Sequence, residues 1–127
     1  AVSRRWKTQI NELAKAQASF ELLPEADHNT LAGSYHPEQV LEQTFKVFLQ
    51  SSLDHPRNLL RSQLTRESFM LQGINTDVFE APGETRLAQM WSAVQFGDYA
   101  AYYLALAYDT DPTAIEPIAA LKERMAR

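Results

Sequence analysis

The sequence contains no cysteine. A disulfide framework and thiolate chemistry are therefore excluded together. No stretch approaches the roughly 20 consecutive apolar residues that a membrane-spanning helix requires, and the amino terminus lacks the apolar core of a signal peptide. Glycine is scarce as well: the four glycines fall singly, so no glycine-rich loop is available to cradle a phosphate. Positive charge is neither abundant nor clustered. Twelve Lys and Arg against 16 Asp and Glu leave a formal charge of −4, and scattered basic residues give no electrostatic footprint for nucleic acid. The turn "DHPRN" (54–58) offers Asp54 and His55 as metal ligands. Three histidines spread over loops, without HxxxH or HxH spacing, argue against a metal site.

What remains is a chain of 127 residues, 45% apolar and 22% charged, which suits one globular domain with a real core. With no membrane segment and no disulfides, the cytoplasm is the default compartment. The chain begins without Met and directly in helical periodicity, which suggests a piece of a longer protein.

Along the chain, Val2, Trp6, Ile10 and Leu13 recur at helical spacing and predict an amphipathic helix over 2–18. "ASFELL" (18–23), short and stopped by Pro24, reads as a strand. Pro37 opens a short helix in "PEQVLEQT", and the alternation of Phe45, Val47 and Leu49 reads as a second strand. Pro56 starts and Gly73 ends a helix of about four to five turns. "INTDVFEA" alternates as a third strand. After Pro82 and Gly83 a long helix follows, its second half apolar nearly all round and so expected to be deeply buried. Asp111 is placed to cap a terminal helix with Pro112 at its first position, and Pro117 to restart or kink it. Strands alternating with helices imply an α/β domain, a mainly parallel sheet covered on both faces by helices. Such sheets bind ligands at the carboxyl ends of their strands, and "PEADHN" follows the first predicted strand directly.

Three polar residues then become candidates for chemistry. His28, in that loop, has a reference pKa of roughly 6.5 that lets it act as acid or base near neutrality. The commoner reading of the same letters is that Asp27 or Asn29 caps the next turn and His28 is solvated. Glu12 lies beside the apolar stripe of the first helix; it can abstract a proton, or simply pair with Lys15 or Arg5 across a turn. Lys122 near the end of the terminal helix reads locally as a surface lysine favoured by the helix dipole.

"RRWKTQINELAK", "LPEADHN" and "YYLALAYDTDPTAIEPIAALK" together resemble the carboxyl-terminal half of the bacterial and archaeal bifunctional phosphoglucose/phosphomannose isomerases. These belong to the phosphoglucose isomerase superfamily, which is built from sugar isomerase (SIS) domains. The stretch from His36 to Arg86 is similar mainly in its pattern of strands and helices. The resemblance implies a three-layer SIS-type α/β fold over residues 1–127. It implies Glu12 as catalytic base, His28 as catalytic histidine and Lys122 as catalytic lysine. At Leu13 the chain departs from the Asn of the family pattern, while the carboxylate itself is present. It further implies interconversion of glucose 6-phosphate, or mannose 6-phosphate, with fructose 6-phosphate, without metal or redox cofactor. The expected partners are the sugar phosphate, an amino-terminal SIS half that holds its phosphate through a Ser/Thr-rich loop, and a second subunit in a homodimer. A non-catalytic, sugar-phosphate-binding regulatory SIS domain is the alternative on the same fold. A ligand-free structural domain is the third reading.

Overall fold

A computed structural model describes residues 1–126. Its elements run α1 (Val2–Leu13), a 3₁₀ turn (Glu25–Asp27), α2 (Glu38–Leu41), β1 (Phe45–Gln50), α3 (Pro56–Leu71), β2 (Asn75–Glu80), α4 (Arg86–Ala107) and α5 (Glu116–Met125). The chain divides into two compact units, one formed by residues 1–19 with those from Val94 onward, the other by Phe20–Ala93. No helix among the described residues is long and apolar enough to cross a membrane.

In the Phe20–Ala93 unit, β1 and β2 pair in parallel, from Phe45 opposite Asn75 to Gln50 opposite Glu80. The α/β class expected from the alternation of elements therefore holds. The crossover between the strands is α3. His55 caps its start, with Nδ1 accepting from the Arg57 N–H at 3.1 Å, and Pro56 takes the first turn, where a missing N–H costs nothing. Its end is a Schellman turn: Gly73 at φ +81° donates to Met70 O, and Ile74 donates to Phe69 O. The same turn buries Phe69 and Ile74.

Side chains on one face of the strands meet α3. The Phe48 ring lies 6.4 Å from that of Phe69, Gln50 donates to Ser62 Oγ at 2.8 Å, and Arg66 Nε donates to Thr76 Oγ1 at 3.1 Å. Lys46 extends over the Phe69 ring with Nζ 4.4 Å from the centroid. Burial there pushes the Lys46 ammonium below its usual range, opposed by the charge of Glu21. Phe45 and Val47, on the other face, are exposed.

Beyond the strands, Gln89 ties two loops together. Its Oε1 accepts from Ser51 Oγ at 2.5 Å, and its Nε2 donates to Ser52 Oγ and Gly83 O, both at 2.8 Å. Gln89 is only 3% exposed, so these bonds stand in for water that the amide has lost.

In the other unit, α1 packs on α4 through Trp6. Gly97 makes the close approach possible: a Cβ there would lie 2.6 Å from Trp6 Cε2. Phe96 stacks on the same indole at a centroid distance of 5.8 Å, and Arg5 forms a two-bond pair with Asp98, Nε to Oδ1 at 3.0 Å and Nη2 to Oδ2 at 2.9 Å.

Four expectations need correction. The segment 18–23 is not a strand, because no described strand pairs with it; Phe20 and Leu22 are exposed along it, and β-prone letters make a strand only when a ladder is available. The first helix ends at Leu13 rather than near 18. Lys15 turns to φ +54°, Asn11 Nδ2 bonds Ala16 O at 2.7 Å, and the helix cannot propagate through that turn. Asp111 and Pro112 do not begin the last helix. The Asp111 carboxylate accepts from the Thr113 N–H at 2.8 Å and from its hydroxyl at 2.7 Å, a local turn, and α5 starts at Glu116 with Pro117 in its first turn. The second half of α4 is not buried all round: Ala101 and Ala105 are fully covered, whereas Tyr99, Tyr102, Tyr103 and Leu106 are exposed. Small residues define its inner seam, and the large apolar ones point away from it.

Candidate functional site

His28 closes the 3₁₀ turn, its N–H donating to Glu25 O at 3.0 Å. The turn is braced from within. Asn29 Nδ2 donates to Glu25 Oε1 at 2.9 Å, and Asn29 Oδ1 accepts from the Thr30 N–H at 2.6 Å. Ala26 beneath it is buried and accepts at its carbonyl from Leu31 N–H at 2.9 Å. The imidazole of His28 is exposed and makes no hydrogen bond to any described residue. Asn29 thus spends its side chain within the loop, on Glu25 and Thr30, rather than capping a following helix.

Asp27 does not. Its Oδ2 accepts from Arg61 Nη1 at 2.6 Å and its Oδ1 from Thr65 Oγ1 at 2.8 Å. Arg61 and Thr65 stand one turn apart on α3 and were passed over in the sequence; the only signal for them there is their four-residue spacing. An open groove of about 330 Å³ runs alongside, lined by Asp27, Leu31, Arg57, Leu64 and Ser68 among others.

Glu12 lies in the last turn of α1, exposed. It forms no ion pair with Lys15 or Arg5. Lys15 Nζ instead bonds the Glu12 backbone carbonyl, which the end of the helix leaves without an intrahelical partner, and Arg5 is engaged by Asp98. The carboxylate is left facing outward. Lys122 lies in the last turn of α5 with Arg124, exposed, where a cation suits the helix dipole. On the same helix Ile118, Leu121 and Met125 form an apolar stripe that is 41% to 77% exposed.

Glu12 and Lys122 thus belong to one unit and His28 to the other. All three keep their reactive atoms available. Asp54 and His55 are not gathered into a donor set: His55 caps α3, and no group of three or more His, Asp or Glu able to hold a metal occurs among the described residues.

Comparison with known proteins assigns the chain to a family. The family model described as the bacterial phospho-glucose isomerase C-terminal SIS domain matches residues 1–125. A bifunctional phosphoglucose/phosphomannose isomerase from Caldicellulosiruptor bescii is 36% identical over 127 residues, covering 98% of this chain and 37% of that protein. Proteins of the same name from Aquifex aeolicus and Thermoplasma acidophilum are 32% and 31% identical, covering 99% of this chain and 39% of each. The chain therefore spans about two fifths of the length of these relatives. Matched along almost its whole length by the family model, the chain belongs to the family of bacterial phosphoglucose isomerase carboxyl-terminal SIS domains.

Proposed function

We propose that this chain is the carboxyl-terminal half of a cytoplasmic aldose–ketose isomerase that interconverts glucose 6-phosphate, or mannose 6-phosphate, with fructose 6-phosphate. The observation that carries the reading is the family match over residues 1–125, and the reading assigns the proton transfers to Glu12, His28 and Lys122. Each step of the reaction is a proton transfer. Ring opening breaks the bond between C1 and the ring oxygen. One of His28 and Lys122 takes the proton of the anomeric hydroxyl, and the other donates to the ring oxygen. Glu12 then removes the proton at C2, leaving an enediolate, and returns it to C1, while the hydroxyl proton of O2 passes to O1 so that the carbonyl moves from C1 to C2.

A carboxylate base works best when shelter from water brings its proton affinity towards the working pH. Glu12 is exposed in this chain, so that shelter is assigned to the amino-terminal half, together with the grip on the phosphate. The exposed stripe of Ile118, Leu121 and Met125 and the length of the relatives support a partner half. A homodimer sharing the site is part of the same proposal.

The test joins the chain to its amino-terminal half. The joined protein is expected to isomerise fructose 6-phosphate and the chain alone is not. Glu12→Gln should lower kcat by about 10² to 10⁴, the usual worth of one general acid–base group, with the melting temperature unchanged. It should also abolish exchange of the C2 proton with solvent deuterium. Near-normal turnover in the folded variant would remove Glu12 from the role of base, and efficient turnover by the chain alone would remove the dependence on a second half.

A further inference from the structure

We propose that Asp27 is a positioning residue for His28: clamped by Arg61 and Thr65, it sets the orientation in which the 3₁₀ turn presents the imidazole. The proposal rests on the catalytic role assigned to His28 above.

Three observations converge on it. First, the His28 side chain has no hydrogen-bond partner of its own among the described residues, so its placement is inherited from the backbone of the turn. Second, the bonds that brace the turn internally, Asn29 to Glu25 and Thr30 to Asn29, hold its shape but tie it to nothing regular. Asp27, immediately before His28, makes that tie. Its two carboxylate oxygens are held separately, Oδ2 by Arg61 at 2.6 Å and Oδ1 by Thr65 at 2.8 Å. Two donors on successive turns of one helix fix the carboxylate plane as well as its position, which a single bond would not do. Buried Ala26 anchors the turn at one point, and Asp27 stops it from rotating about that point.

Third, the Thr65 hydroxyl is drawn away from its ordinary use. A helical threonine commonly gives its proton to the carbonyl four residues back, and Arg61 O does lie 2.8 Å from Oγ1. The hydroxyl has one proton for two acceptors at equal distance, and the ionised carboxylate is the stronger. Thr65 is only 4% exposed, so water competes poorly for that proton. A catalytic group displaced by about 1 Å can lose about 10²-fold in rate. Loosening this clamp is therefore expected to act on turnover rather than on folding.

The experiment uses the full-length isomerase that carries this domain, with Asp27→Asn, Thr65→Val, Thr65→Ser and His28→Ala, each measured for kcat, KM, melting temperature and deuterium exchange of the peptide spanning residues 24–30. Asp27→Asn and Thr65→Val should lower kcat by about 10- to 100-fold, with KM for fructose 6-phosphate within about twofold. Exchange in that peptide should speed up, and Thr65→Ser, which keeps the hydroxyl, should behave as the parent. If His28→Ala abolishes turnover while Asp27→Asn and Thr65→Val keep kcat within about twofold, the positioning role is overturned and the catalytic reading of His28 stands. It is equally overturned if kcat falls while exchange of the peptide is unchanged. If His28→Ala itself turns over normally, the catalytic reading fails, and the positioning role fails with it.

Discussion

Arg5 and Asp98 meet through two roughly parallel hydrogen bonds on the solvent side of their unit, with 48% and 33% of their side chains exposed. The bond from Arg5 is the largest cause holding the Asp98 carboxyl below the usual carboxylate range; burial opposes it, and a bond from Gln9 and the Arg5 charge add to it. Because the folded-state value is depressed, the stabilisation is complete above the unfolded value of about 3.9 and is lost as the pH falls through the folded value. Screening at such an exposed pair leaves it worth about 0.2–1 kcal/mol. Arg5→Gln should therefore raise the Asp98 titration midpoint towards about 3.9 in carboxyl-carbon NMR and start acid unfolding at a higher pH, with stability above pH 6 changed little. An unmoved midpoint would sink this assignment. At the same scale, the assignment of the three candidate catalytic residues rests on the family pattern alone, since local letters favour solvated roles for each. The pairing of Asp27 with its partners was not legible, since their four-residue spacing marks a helix face and not what it meets. Arg61 and Thr65 follow it by 34 and 38 positions, and no local rule links a loop carboxylate to a helix face so far along the chain.

Among the elements, those with chemical punctuation at both ends were read well: α3 begins at Pro56, ends before Gly73 and occupies the expected span. β1 and β2 were legible because their alternation coincided with a partner strand. Residues 18–23 carry similar letters without a ladder, and α5 begins five residues beyond Asp111 because that carboxylate spends its acceptors on Thr113. The seam between α1 and α4 shows what an apolar pattern leaves out. Counting apolar letters suggested burial for the tyrosines of α4, whereas the covered positions include Gly97, Ala101 and Ala105, and the missing side chain of Gly97 admits Trp6. Gly97→Ala should accordingly destabilise. Overpacking costs about 1–3 kcal/mol, which outweighs the gain of about 1 kcal/mol in helix propensity. In a Trp6→Leu background the same substitution should become neutral or stabilising, because the indole it collides with is gone. Thermal melts of the four proteins decide the point, and a loss of equal size in both backgrounds would refute the collision.

At the scale of the whole molecule, family membership and the α/β class were both legible, the first in motifs at the two ends of the chain and the second in the order of elements. The division into two units was not, because it falls inside α4, between Ala93 and Val94, where the helical pattern runs on without a break. The bonds of Gln89 bear on how such a chain breathes. One side chain links the loop after β1, through Ser51 and Ser52, to the loop after β2, through Gly83. Opening either loop strands a buried amide, which costs about 1–3 kcal/mol. The two loops should consequently open as one cooperative event, with matching exchange rates for the amides of residues 51–53 and 83–85. Gln89→Ala should let those rates diverge, whereas rates that already differ in the parent would refute the coupling. Two segments some 30 positions apart in sequence would then share a single clock, wound by the rotamer of one glutamine.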